Sequence, residues 1–221
     1  MTYILNIETS TKNCSVSLAL NGKSIAVKEI AEAGFSHAEK LHVFFEDILK
    51  ENNLTFKNLS AIAISQGPGS YTGLRIGVSS AKGLCYSLDI PLIAIDTLQS
   101  LASQVKFDDG IIIPMIDARR MEVYSAVFNR KQEKIRTVEA QIIDENSFSN
   151  IEEKIYVVGD CQEKLRTVLT KDNFVFLDAI IYPSAKEMCF LSYQKFQNDD
   201  FVDVAYFEPY YLKDFMINTL K

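Results

Sequence analysis

Ile111-Ile112-Ile113-Pro114-Met115-Ile116-Asp117 is apolar until it ends on an acid. A short continuous apolar run of this kind suits a strand covered on both faces. Its weight comes from what it repeats, because Ile4-Leu5-Asn6-Ile7-Glu8 has the same form near the start of the chain. Each copy leads into the same pattern. After Glu8, Cys14 to Leu20 alternates small polar with apolar residues, Asn21-Gly22 marks a hairpin, and Ser24 to Ile30 reads as the return strand. After Asp117, Glu122 to Phe128 alternates, Asn129-Arg130 turns, and Lys134 to Ile143 reads as a third strand. Two three-stranded antiparallel meanders are therefore expected, starting near residues 3 and 111.

Each meander is followed by alternating helices and strands. In the first half, Ser36 and Glu39 form a capping box for a helix running to about Asn52, with Ala38, Leu41, Phe45, Ile48 and Leu49 on one stripe. The strand Ala61 to Ile64, a helix from about Gly73 to Leu88, the strand Pro91 to Ile95 and a short helix Leu98 to Val105 complete that half. In the second, a strand Ile155 to Asp160, a helix to about Leu169, a strand Phe174 to Leu177 and a helix from Ser184 to about Phe196 follow. The order predicts an α/β fold of two tandem lobes, each a mixed sheet flanked by helices. That is the plan of the actin-like superfamily, which includes the sugar kinases and Hsp70, with ribonuclease H-like topology in each lobe. The lobes are expected at 1–102 and 103–183, with 184–221 returning to the first.

Composition narrows the function. The chain has 221 residues, 48% of them hydrophobic, enough to bury a core. Its net charge is −6, from 23 basic and 29 acidic residues, with no long basic block, so direct tight binding of nucleic acid is disfavoured. Cys14, Cys85, Cys161 and Cys189 form no CxxC pair and read as buried free thiols of a reducing compartment. The N-terminus lacks a basic n-region, and the apolar stretches fall short of the ~20 residues that span a bilayer. A cytoplasmic protein that does not enter membranes is expected.

In the two-lobed superfamily a nucleotide sits between the lobes, with phosphates against the first turn of each meander. Close approach of backbone to phosphate wants glycine. Glu8-Thr9-Ser10-Thr11-Lys12-Asn13 and Asp117-Ala118-Arg119-Arg120-Met121 have none. On one reading Asp117 holds magnesium through water and Lys12 or Arg119 meets phosphate, in an ATP-dependent phosphotransferase with a degenerate cleft. On the other, these are strand-end residues closing a collapsed cleft. The missing glycines favour the second. Metal chemistry fails on ligands: the two histidines, His37 and His42, lie roughly 140° apart around one helix and cannot clasp one ion.

Ser65-Gln66-Gly67-Pro68-Gly69-Ser70-Tyr71-Thr72-Gly73 leads into a helix N-terminus, where anions are favoured. It lacks the Lys-Ser or Lys-Thr of a P-loop, and its glycines do not fit GxGxxG. Gly73, Gly77 and Ala81 recur every four residues as a smooth ridge, beside a stripe of Leu74, Val78, Cys85 and Leu88. One face of this helix would pack on its own sheet and the other would meet a partner. The expected interface residues are His37, Leu41, Phe45, Leu74, Val78 and Ala81, with Gly73 and Gly77 allowing close approach.

Several runs taken together resemble a known family. They are Ile7-Glu8-Thr9-Ser10, Ser36-His37-Ala38-Glu39-Lys40-Leu41, Gly67-Pro68-Gly69-Ser70-Tyr71-Thr72-Gly73-Leu74-Arg75-Ile76-Gly77, Asp96-Thr97-Leu98, Asp117-Ala118-Arg119-Arg120 with Glu122-Val123-Tyr124, and Pro209-Tyr210-Tyr211-Leu212-Lys213. The resemblance, nearly end to end, is to the TsaB (YeaZ) family of bacterial threonylcarbamoyladenosine biosynthesis. It implies a non-catalytic paralogue of TsaD, the transferase that modifies adenosine beside the tRNA anticodon. TsaD carries a metal-binding HxxxH motif, and here the corresponding positions are His37 and Leu41. The resemblance further implies a heterodimer with a TsaD-type transferase through the helices of the first lobe, joined by a TsaE-type ATPase. The same surface can pair two copies of the chain. Transfer RNA would be met only through the complex. No cofactor of its own is expected, with ATP or ADP at the boundary of the assembled complex. Glu8 stands where the family usually has Asp, and Lys213 where it usually has Arg.

Overall fold

The computed structural model describes residues 1–31 and 37–213. The first sheet contains β1 (Tyr3–Glu8), β2 (Cys14–Leu20), β3 (Lys23–Ile30), β4 (Ala61–Gly67) and β5 (Leu92–Asp96), in the order β3-β2-β1-β4-β5. β1 runs antiparallel to β2, and β4 and β5 run parallel to β1. The second sheet contains β6 (Ile111–Asp117), β7 (Glu122–Asn129), β8 (Lys134–Ile142), β9 (Ile155–Val158) and β10 (Phe174–Phe176), in the order β10-β9-β6-β7-β8. Taken from the third strand of each meander, the two orders are identical: third, second, first, fourth, fifth. The repeat anticipated from Ile4–Glu8 and Ile111–Asp117 is thus a repeat of topology.

The helices are α1 (His37–Glu51), α2 (Tyr71–Leu88), α3 (Thr97–Ala102), α4 (Gln162–Leu165) and α5 (Ala185–Gln197). The expected cap Ser36 lies outside the described residues, as does 214–221 of the expected tail. Helix α2 starts two residues earlier than its glycines suggest, because Ser70 caps it by accepting from the Gly73 amide at 3.3 Å. Asp89, in the left-handed conformation, ends it by donating to Cys85 O. The stretch expected to remain helical to Leu169 is helical only to Leu165, and tight turns carry Leu169 to the same buried position.

Strand alternation decides what each face of the first sheet carries. Leu5, Ile7, Ile62 and Ile64 point to the side covered by α1 and α2. Ile4, Ala19, Ala61, Ala63, Ile93 and Ile95 point to the other side, where α5 lies on the small alanines with Ala185, Met188 and Cys189. The second sheet is covered on one face by Leu165, Leu169, Ile143 and Phe148. On its other face lies α3: Leu98, Leu101 and Ala102, all fully buried, join Ile112, Ile116, Ala126 and Phe128. Helix α3 ends the stretch expected as the first lobe, yet it packs beneath the second sheet and also against α5. All four cysteines are free and buried, as expected. Among the described residues no helix is long and apolar enough to cross a membrane.

Candidate functional site

Helices α1 and α2 lie side by side on one face of the first sheet, joined at the surface by Ser80 Oγ and His42 Nε2 at 3.4 Å. Their inward stripe is the core of the lobe. Leu41, Phe45, Val78 and Ala81 pack with Leu5, Ile7 and Ile64, and none is more than 4% exposed. Leu74 is fully buried as well. These five residues were expected to offer apolar contacts to a partner, and their position corrects that expectation. The stripe that these residues form on the two helices is taken by their own sheet.

The glycine ridge is corrected in the same way. A Cβ on Gly73 would lie 2.0 Å from Thr9 O, and one on Gly77 would lie 2.2 Å from Thr9 Oγ1. The ridge lets α2 approach the first meander turn of its own lobe, where Thr9 Oγ1 donates to Gly73 O at 2.8 Å. His37 belongs to the same junction, its Nε2 lying 2.8 Å from Thr11 O. What the helix pair leaves outside is a different set: Val43 (49% exposed) and Tyr86 (87% exposed), with His42, Ser79 and Gly83 exposed and Phe44, Ile76 and Leu84 half-buried. The signal for this set was in the sequence: α2 is apolar or small around most of its girth, more than one sheet contact uses.

Three amides of the Gly-rich turn are bonded within the chain. Ser70 N–H donates to Ser10 O at 2.6 Å, Gly67 N–H to Thr97 Oγ1 at 3.1 Å, and Gly73 N–H to the Ser70 cap. The Ser10 carbonyl thus lies against the N-terminus of α2, so close to Gly69 that an added Cβ there would lie 2.3 Å from it. Beneath it Glu8 is completely buried. Its Oε1 accepts from Ser10 N–H at 2.6 Å and Ser65 Oγ at 3.0 Å, while Oε2 and Ser10 Oγ have no partner among the described residues. Burial pushes the Glu8 carboxyl up to about 6, against the opposing pull of the Ser10 and Ser65 hydrogen bonds.

The second meander turn is equally committed. Asp117 Oδ1 accepts from Arg119 N–H at 2.9 Å and pairs with Lys164, which also donates to Arg120 O and Glu122 O. Asp117 N–H donates to Asp160 Oδ1 at 2.8 Å, and burial raises the Asp160 carboxyl. Arg119 and Arg120 take positive φ (74° and 54°) and are exposed. Lys12, at the tip of the first turn, is exposed too. Lys164 was not singled out from the sequence. Nothing local marks it, because it reaches Asp117 only through the parallel pairing of β9 with β6. Among the described residues no three His, Cys, Asp or Glu side chains gather as a metal-ion site.

Two mixed sheets of the same strand order, each a meander with two parallel strands added, define a two-lobed actin-like fold. Residues 31–176 match the family model described as TsaD, tRNA N6-adenosine threonylcarbamoyltransferase. The chain is 30% identical over 219 residues to the tRNA threonylcarbamoyladenosine biosynthesis protein TsaB of Bacillus subtilis, covering 95% of this chain and 93% of that one. It is 28% identical to TsaB of Escherichia coli, covering 96% and 94%. The solved structure of YeaZ from Pseudomonas aeruginosa superposes with a TM-score of 0.81 at 25% identity, over 96% of this chain and all (100%) of that one. A protein of Carboxydothermus hydrogenoformans, the ethanolamine utilization protein EutJ, shares the fold at 10% identity, with a TM-score of 0.52 over 86% of this chain and 90% of that one. The chain belongs to the TsaB family, within the wider group that the TsaD model describes.

Proposed function

We propose that this chain is an accessory subunit, without catalytic chemistry of its own, of the machinery that installs threonylcarbamoyl on transfer RNA adenosine. It acts by docking a TsaD-type transferase on the outer face of α1 and α2. The observation that carries the reading is the occupation of both meander turns by the chain itself: the Ser10 carbonyl on the α2 N-terminus, and Lys164 on Asp117. With both turns engaged by the chain's own groups, we read the outer surface as the working part. Tyr86 is a large exposed aromatic, a residue type that anchors interfaces, and Val43 adds exposed apolar area on α1. In this reading the chain works in the cytoplasm, a TsaE-type ATPase joins the pair, and a nucleotide belongs to the boundary of the assembly. Transfer RNA is met through the complex, and a second copy of the chain can take the transferase's place.

The test is titration calorimetry of the full chain against its organism's TsaD-type transferase. Val43→Glu and Tyr86→Glu are expected to weaken association at least tenfold while leaving the circular dichroism unchanged. Unchanged affinity in both would remove the helix pair as the docking face. ATP binding by the chain alone, abolished in Asp117→Ala, would favour a phosphotransferase instead.

A further inference from the structure

The segment after α5 runs back over both lobes. Val202 N–H donates to Leu92 O on β5 at 2.9 Å. Lys82, from α2, donates to Ala205 O at 2.9 Å and Phe207 O at 3.1 Å. Tyr210 N–H donates to Gln66 O at 2.7 Å, which lays the Tyr210 carbonyl against Gly67. The Tyr211 ring packs on Tyr71 with centroids 4.9 Å apart, and its hydroxyl accepts from Arg75 Nε at 3.3 Å. Arg75 in turn lies 4.1 Å over the Tyr71 ring. All of these anchors are on the first lobe. Two residues beyond Tyr211, Lys213 pairs with Glu122, the first residue of β7 in the second lobe.

We propose that Val202–Lys213 is an inter-lobe strap, sewn to the first lobe along β5, α2 and the Gly-rich turn, and latched to the second lobe by the Lys213–Glu122 pair. A second ion pair also crosses between the lobes, Lys134 with Asp96. Glu122 pairs in register with Ile142 at one end of the β7–β8 ladder, and Phe128 with Lys134 at the other. Six residues of strand put the two crossings roughly 20 Å apart. The Asp96 end is fixed: its side chain caps α3 through Gln99 N–H at 3.0 Å, and α3 is buried beneath the second sheet. It serves as the hinge. The Glu122 end is held by an ion pair whose side chains are 37% and 24% exposed, so solvent and salt reach it. Such a pair biases a two-state balance only a few-fold, which suits a latch that docking can release.

The strap is tested by electron–electron distance measurement between nitroxides on Lys57→Cys and Asp172→Cys, both exposed and one on each lobe. The native cysteines do not compete for label, because they are buried and burial pushes Cys14 up to about 11 and Cys85 to about 12. The otherwise unmodified protein is expected to give one narrow distance at low salt and a second, longer population in 1 M salt. Glu122→Lys and Lys213→Glu should each bring up that longer population at low salt. The exchange Glu122→Lys with Lys213→Glu should restore the single distance. A distribution unmoved by salt and by both single reversals overturns the proposal. So does an exchange that folds normally but fails to restore the narrow distance.

Discussion

Glu8, the acid that ends β1, is turned inward. Its carboxyl titrates at about 6 in the folded chain and near 4.5 when unfolded. The folded state therefore holds its proton more tightly, and stability falls as pH rises from about 4.5 through 6. That difference corresponds to ~2 kcal/mol lost across the window. Denaturant midpoints between pH 4.5 and 7.5 should show this fall, and Glu8→Gln should flatten it; a profile identical to the parent's would mean that another group titrates. The presence of an acid after the first strand was legible in the sequence. Its burial was not, since Ser10 and Ser65, 57 residues from Glu8, close over it only when β4 lies beside β1. Asp117 stays exposed, but its pairing was no more legible, because its partner Lys164 is 47 residues away.

Helix α2 shows how far periodicity reads at the level of an element. The four-residue recurrence of Gly73, Gly77 and Ala81 correctly marks a close approach. It cannot say what approaches, because a smooth ridge looks the same to a neighbouring turn as to a partner helix. Here the neighbour is Thr9. Gly73→Ala should therefore cost about 1–3 kcal/mol of folding stability through overpacking against backbone. At Gly83, on the same helix, an added methyl group would meet no other atom within 4 Å, and Gly83→Ala should gain about 0.5–1 kcal/mol. Parallel urea titrations check the pair, and equal effects at the two sites would contradict the packing described. It also follows that Gly77→Leu would report on the fold of the first lobe before it reported on any interface.

At the scale of the molecule, the doubling of the meander was the most legible feature, because a buried strand ending in an acid is a local pattern. The sharing of elements between lobes was not, since it depends on contacts between distant segments. The second sheet depends on α3, and the first on α5. A fragment of residues 103–183 lacks Leu98, Leu101 and Ala102, and should bind a hydrophobic dye and exchange its β6 and β7 amides freely; extended to begin at residue 95, it should be markedly better protected. Equal protection in both fragments would mean that the second lobe stands without α3. The placement of α5 also has a consequence for biogenesis. Asn6 of β1 and Cys189 of α5, in contact where the helix lies on the sheet, are 183 residues apart. At ribosomal speeds of 5–20 residues per second, roughly ten to forty seconds separate their synthesis. Throughout that interval the alanine-lined face of the first sheet waits uncovered, so the part of the protein made first is completed late, and the nascent chain has its greatest need of a chaperone before α5 leaves the ribosome.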